Sequence, residues 1–150
     1  MKIYLAGAIS GSGFDEVYDK FVHDAQVAMK LGYTVLWPML AKEHFKDIGR
    51  FTSLGDTHPV STNHAIFERD CWMVSQADVV LVDLFDAVRP SLGCSMELAI
   101  ASHLHKHTIG IMEPGNCHEH AFILEALDIR FNERPSAWKY LRQLAEWVNG

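Results

Sequence analysis

The chain has 150 residues, 49% of them hydrophobic and 21% charged, with a formal net charge of −6. These values suit one folded domain spanning 1–150 and exclude wholesale disorder. The acidic balance and the lack of any basic run exclude a nucleic-acid polymer as partner, whereas a single nucleotide needs only a helix terminus and a few donors. Lys2–Ala6 reads as the first strand, and Asp15–Leu31 as an amphipathic helix turning Val17, Phe21, Ala25 and Ala28 inward. Tyr33–Trp37 is a second strand. The connection Pro38–Val60, with Gly49, Gly55 and Pro59, is longer than most in compact domains. Ser61–Gln76 is helical, opened by the cap-capable Ser61, Thr62 and Asn63. Asp78–Asp83 is the most hydrophobic strand and hence central. A helix runs from Ser91 to about His105, followed by a strand over Thr108–Met112. A helix over His118–Ala126, a strand near Asp128–Phe131 and a terminal helix over Ser136–Val148 complete the chain. This alternation predicts an α/β fold: a Rossmann-like, doubly wound sheet of about five mostly parallel strands with helices on both faces.

Cys71, Cys94 and Cys117 form an odd, widely spaced set, as expected of reduced thiols in a cytoplasm. The N-terminal apolar run ends at Gly7, too early for a signal peptide, and no stretch approaches the length of a membrane span. The expected location is cytoplasmic, without a membrane partner.

The first strand–helix turn, Gly7-Ala8-Ile9-Ser10-Gly11-Ser12-Gly13, exposes backbone N–H groups around Gly7, Ser10 and Gly11 to an anion or a sugar. Its spacing is not G-x-G-x-x-G, and no P-loop lysine follows. A tight glycine turn without a ligand explains it nearly as well. In the long connection, Trp37, His44, Phe45 and Phe51 suit stacking on a flat ligand, or equally a small hydrophobic cluster of the loop's own.

Two carboxylates stand where packing wants apolar groups. In Arg89-Pro90-Ser91-Leu92-Gly93-Cys94-Ser95-Met96-Glu97-Leu98, Glu97 shares a helical face with Gly93, Cys94, Ile100 and Ala101. Asp70 sits among Ile66, Phe67, Met73 and Val74 on the preceding helix. An unpaired buried carboxylate is costly, so each is either neutralised by a donor, such as Arg69 for Asp70, or works. Helices flanking a central strand bring both acids to its carboxyl edge, where open α/β sheets bind ligands. Paired carboxylates of split acidity are the equipment of retaining glycosidic-bond cleavage, one as nucleophile and one as proton donor. Asp83, ending the central strand, can bond a sugar or base, or cap the next loop. His103, His105, His107, Cys117, His118 and His120 lack the spacing of a zinc site, and neither metal nor cofactor is expected. Cys94 is expected as a small buried residue beside Glu97.

Tyr4-Leu5-Ala6-Gly7, the Asp70-to-Asp78 spacing into the strand, and Pro90-Ser91-Leu92-Gly93-x-x-x-Glu97-Leu98 resemble the nucleoside 2-deoxyribosyltransferase superfamily, over Met1 to about Ile123. The Pro-Ser-Leu-Gly form is most similar to the 2'-deoxynucleoside 5'-phosphate N-hydrolases of that superfamily. The resemblance implies Glu97 as nucleophile at the anomeric carbon, Asp70 as acid to the leaving base, and Tyr4 as the hydroxyl that orients Glu97. It implies nucleosides or nucleotides and a nucleobase as small-molecule partners, no cofactor, and a homodimer or higher homo-oligomer whose neighbour completes each site. Ser10 stands where the phosphate-handling hydrolases place an arginine. Arg89, with Ser91, Gly93 and the helix N-terminus, can supply a phosphate site instead, or the 5'-hydroxyl is unphosphorylated and Arg89 is a solvent-exposed loop charge; His120 falls loosely where those hydrolases offer a serine. Transfer of deoxyribose to a second base is therefore expected first, hydrolysis of a 5'-monophosphate second. A non-catalytic nucleotide sensor is the rival from another class, but it leaves the two carboxylates without a purpose.

Overall fold

A computed structural model of the chain describes residues 1–9, 12–40, 42–46, 51–52 and 54–149. Five strands, β1 (Lys2–Gly7), β2 (Thr34–Leu36), β3 (Val79–Asp83), β4 (His107–Ile111) and β5 (Ile129–Phe131), form one all-parallel sheet in the order β2-β1-β3-β4-β5. The helices are α1 (Phe14–Lys30), α2 (Asn63–Gln76), α3 (Leu92–His103), α4 (Ala121–Ala126) and α5 (Arg134–Asn149). The expected doubly wound α/β fold is observed, with β3 at its centre.

Alternation along the strands builds two cores. Ile3, Leu5, Val79, Leu81, Ile109 and Ile111 face α1 and α5, where Val17, Phe21, Ala25 and Ala28 are buried. Tyr4, Ala6, Val80 and Val82 face Met73 and Val74 of α2, Cys94, Leu98 and Ala101 of α3, and Ile123 of α4. A side-chain period of two fixes this partition, because a one-residue slip would exchange the faces.

The helix boundaries have local causes. Thr62 caps α2 by accepting from the Ala65 N–H at 3.2 Å, so the helix starts two residues later than expected. Ser91 accepts the Cys94 N–H at 3.4 Å and starts α3, and His105 at φ 54° lies beyond its end. α4 begins at Ala121 rather than His118, because His118 is engaged in a buried network and His120 is the cap residue. Pro135 fits the first turn of α5, where its missing N–H costs nothing, so that helix starts two residues early. Among the described residues no helix is long and apolar enough to cross a membrane.

Candidate active site

In the order β2-β1-β3-β4-β5 the chain reverses direction of travel between β1 and β3, and a crevice opens there at the carboxyl edge. The loops after β1, β2 and β3 wall a cleft of about 640 Å³. Asp70, Glu97, Gly7, Arg89, Ser91 and Gly93 all line it.

Glu97 projects from the second turn of α3. Tyr4, fully buried in β1, donates its hydroxyl proton to Glu97 Oε1 at 2.8 Å. Tyr4 is fully buried and does not line the cleft, so it holds the Glu97 carboxylate without facing the cleft itself. Burial pushes the Glu97 carboxyl up to about 8; the Tyr4 hydrogen bond opposes the rise, Asp70 adds to it, and Lys42 and Arg69 oppose it. Burial also raises Asp70, against Arg69 and Lys42. Arg69 grips Asp70 Oδ1 through Nη2 at 2.8 Å and Nε at 3.0 Å, and Nη2 also donates to the Pro38 carbonyl at 3.2 Å. The expected pairing of Asp70 with Arg69 is observed, and the acid also lines the cleft.

Asp70 and Glu97 thus meet at the cleft with Lys42, while Arg69 grips Asp70 from behind the lining. A form with Glu97 ionised and Asp70 protonated has the same net charge as one with the proton on Glu97. The titration belongs to the pair. Cys94, buried with its thiol pushed up to about 12, is no nucleophile.

Two expected ligands of the substrate fall elsewhere. Asp83 faces the opposite layer, where its Oδ2 pairs with Lys20 Nζ at 3.0 Å and Arg134 Nε at 2.7 Å, and its Oδ1 accepts the Phe85 N–H at 3.1 Å. The loop-capping role is the observed one, reinforced by two cations. His120 lies on a second hollow beside α3 and α4, lined also by His103, His118 and Phe122. Among the described residues no three histidine, cysteine or acidic groups come close enough to hold a metal ion. Ser10 and Gly11 lie outside the described residues. Ser91 lines the cleft, but its Oγ already serves Cys94 as a cap.

The 38–60 connection is both wall and cluster. Trp37 packs on Tyr18 and Phe21, and Phe45 meets Phe51 edge-on at 5.6 Å, so these rings anchor the loop to the α1 core. Trp37 is absent from the cleft, whereas buried Phe45 and Phe51 show it only an edge. His44 stacks on His58 at 4.1 Å, and Ser61 Oγ donates to Asp56 at 2.6 Å while meeting His44 Nε2 at 3.0 Å. Serine is the middle member here, so this is a clasp for the loop and not a nucleophilic triad. A cleft residue not singled out in the sequence is Lys42, only 5% exposed yet lining the cleft. A lone lysine in a long polar loop carries no periodic signal.

A Cβ built on Gly93 meets nothing within 4 Å, leaving that side of the cleft open for a ligand. Gly93→Ala is expected to leave the melting temperature unchanged or slightly raised, because alanine favours the helix. Substrate binding should weaken by about tenfold, read as a higher KM. An unchanged KM would show that the ligand lies elsewhere.

Solved structures share the fold. A 2-deoxyribosyltransferase from Bacillus psychrosaccharolyticus is 22% identical, with a TM-score of 0.64 over 95% of this chain and 90% of that one. A 2-deoxyribosyltransferase from Leishmania mexicana is 18% identical, with a TM-score of 0.63 over 95% and 97% of the two chains. A CMP N-glycosidase from Clostridium botulinum is 14% identical, with a TM-score of 0.55 over 94% and 98%. No curated protein matches the chain in sequence. Residues 1–110 match the family described as "Domain of unknown function (DUF4406)", and the chain belongs to that family.

Proposed function

We propose that the protein cleaves the N-glycosidic bond of 2'-deoxyribonucleosides through a covalent deoxyribosyl-Glu97 intermediate and transfers the sugar to a second nucleobase. The observation that carries this reading is the Tyr4–Glu97 hydrogen bond of 2.8 Å, set in a cleft that Asp70 also lines. Oε1 is fixed by Tyr4, which leaves Oε2 to attack the anomeric carbon. The C–N electron pair goes to the departing base, and protonated Asp70 supplies the proton. An incoming base then reverses the sequence. The similarity in fold to two deoxyribosyltransferases and a nucleotide N-glycosidase supports the class of reaction.

Hydrolysis of a 5'-monophosphate is the second reading. It is favoured by Arg89 and the N-terminal turn of α3, which line the same cleft. Completion of the site by a second copy is supported by Leu92, Met96 and Phe122, large apolar side chains exposed on α3 and α4. Three free cysteines suit work in a reducing compartment.

Incubation with deoxynucleosides and their 5'-monophosphates, with and without a free base, tests the proposal by chromatography. A new nucleoside that forms only when the second base is present is the expected result. Release of base and deoxyribose 5-phosphate from the monophosphate alone would favour the second reading. If neither substrate class is consumed, both readings fall.

A further inference from the structure

Lys42 has no structural task that the fold explains. It lies between β2 and the short 3-10 turn Glu43–Phe45, pinned by its N–H to the Met39 carbonyl at 3.2 Å and by its own carbonyl to the Phe45 N–H at 3.0 Å. Phe45 in turn is held in the aromatic core. The side chain is therefore delivered from a fixed backbone. The residue is only 5% exposed, what it exposes lines the cleft, and among the described residues no carboxylate lies within 4 Å of its ammonium. A buried cation without a close partner is expensive, and a methionine would fill the same space at lower cost. The cost is offset only if negative charge arrives in the cleft.

The chemistry proposed for the site delivers such charge. When Glu97 becomes an ester, its charge disappears, while the electron pair of the broken bond appears on the base. Asp70, gripped by Arg69 through two donors, is a restrained acid. Lys42 lines the same cleft as Asp70, and Asp70 is the carboxylate that acts on its ammonium most strongly, ahead of Glu97.

On the proposed glycosidic function, we infer that Lys42 is a further catalytic residue, whose ammonium donates a hydrogen bond to the leaving base at the ring acceptor next to the glycosidic nitrogen. The acceptor is the 2-oxo oxygen of a pyrimidine or N3 of a purine. In the step, Glu97 Oε2 bonds to the anomeric carbon, the C–N bond breaks, its electron pair passes to the base, and Asp70 gives the proton. Lys42 keeps its own proton throughout. Its benefit is electrostatic and greatest in the transition state, where the charge develops.

The alternative is that Lys42 merely sustains the ionised form of Glu97. The other groups facing that carboxylate are Tyr4 from β1, Asp70 and Arg69 from α2, and Cys94 from α3. Lys42→Met and Lys42→Arg, assayed beside wild type and Glu97→Gln between pH 5 and 9, separate the two roles. The substrates are deoxynucleosides and p-nitrophenyl 2-deoxyriboside, whose leaving group needs little help and has no ring acceptor. Lys42→Met is expected to lose about 100-fold in kcat/KM on deoxynucleosides below about pH 8, the value to which burial lowers the ammonium, and progressively less above it. On the nitrophenyl substrate it should lose less than about threefold, and Lys42→Arg should recover most of the loss. An equal loss on both substrates, or no loss at all, overturns the inference and leaves the glycosidic function standing. Undiminished turnover by Glu97→Gln, or an inert wild type, overturns that function itself and the inference with it.

Discussion

Replacing Glu97 with glutamine is expected to abolish turnover, by roughly 10³-fold or more in kcat, while stabilising the protein at alkaline pH. The two effects have one cause. On the proposed mechanism the carboxyl has to be ionised to attack, yet it stands where burial resists ionisation and raises it from 4.5 to about 8. Between those two values the folded state holds a proton that the unfolded chain has released. The contribution of this group to stability is therefore complete below about pH 4.5 and is lost as the pH rises through about 8. Glutamine keeps the shape and has no such slope. The variant should match wild type near pH 4.5 and exceed it at pH 9 by about 1–3 kcal/mol, or roughly 3–10 °C in melting temperature. Thermal unfolding at both pH values, with chromatographic assay of nucleoside turnover, checks both halves. Equal melting temperatures at pH 9 would mean that the ionised carboxylate is satisfied in the fold and carries no stored cost.

The second large effect is expected at His118, outside the cleft. His118 Nε2 accepts the Ser91 N–H at 2.7 Å, which places the ring proton on Nδ1, where it is donated to Asn116 Oδ1 at 2.9 Å. Asn116 also accepts the His118 N–H at 2.9 Å and donates to the Leu84 carbonyl at 2.8 Å. This buried chain ties the residue after β3 to the start of α3, and so fixes the base of the helix that carries Gly93 and Glu97. His118→Leu strands the Ser91 N–H and removes the ring donor to Asn116 Oδ1, which keeps only the backbone N–H of residue 118, at a cost of about 2–4 kcal/mol. Burial lowers His118 below its usual 6.5. Its neutral-state contribution is thus complete above about pH 6.5 and is lost as the pH falls through the depressed value. Urea unfolding should show the variant's deficit at pH 7.5 and a smaller one near pH 5. A deficit of the same size at both pH values would argue that the loss is packing alone.

The sequence made the scaffold legible because its signals are periodic. Ile3 and Leu5 alternate with Tyr4 and Ala6, and Val17, Phe21, Ala25 and Ala28 recur at helical spacing, so faces and layers follow from counting. Asp70 and Glu97 were readable for the opposite reason, as charges that break such a pattern. Asp83 is placed by strand parity and not by its position at the strand end. From Val80 and Val82 facing α2 and α3, Asp83 must face α1 and α5, where Lys20 and Arg134 take it up. Lys42 and the Asn116–His118 network were illegible, since both lie in irregular backbone whose contacts span tens of residues. No local pattern announces that a loop lysine is buried, or that a histidine 27 positions away holds a helix N-terminus.

The placement of Tyr4 makes catalysis a reporter on assembly. Its hydroxyl reaches Glu97 only when β1 stands in register with β3, Tyr4 opposite Val80. Slipping that pairing by one residue presents Ile3 or Leu5 to the carboxylate, neither of which has a proton to offer. Regain of turnover after dilution from denaturant would therefore time the docking of the first strand against the centre of the sheet, an event that bulk fluorescence from four scattered tryptophans would blur.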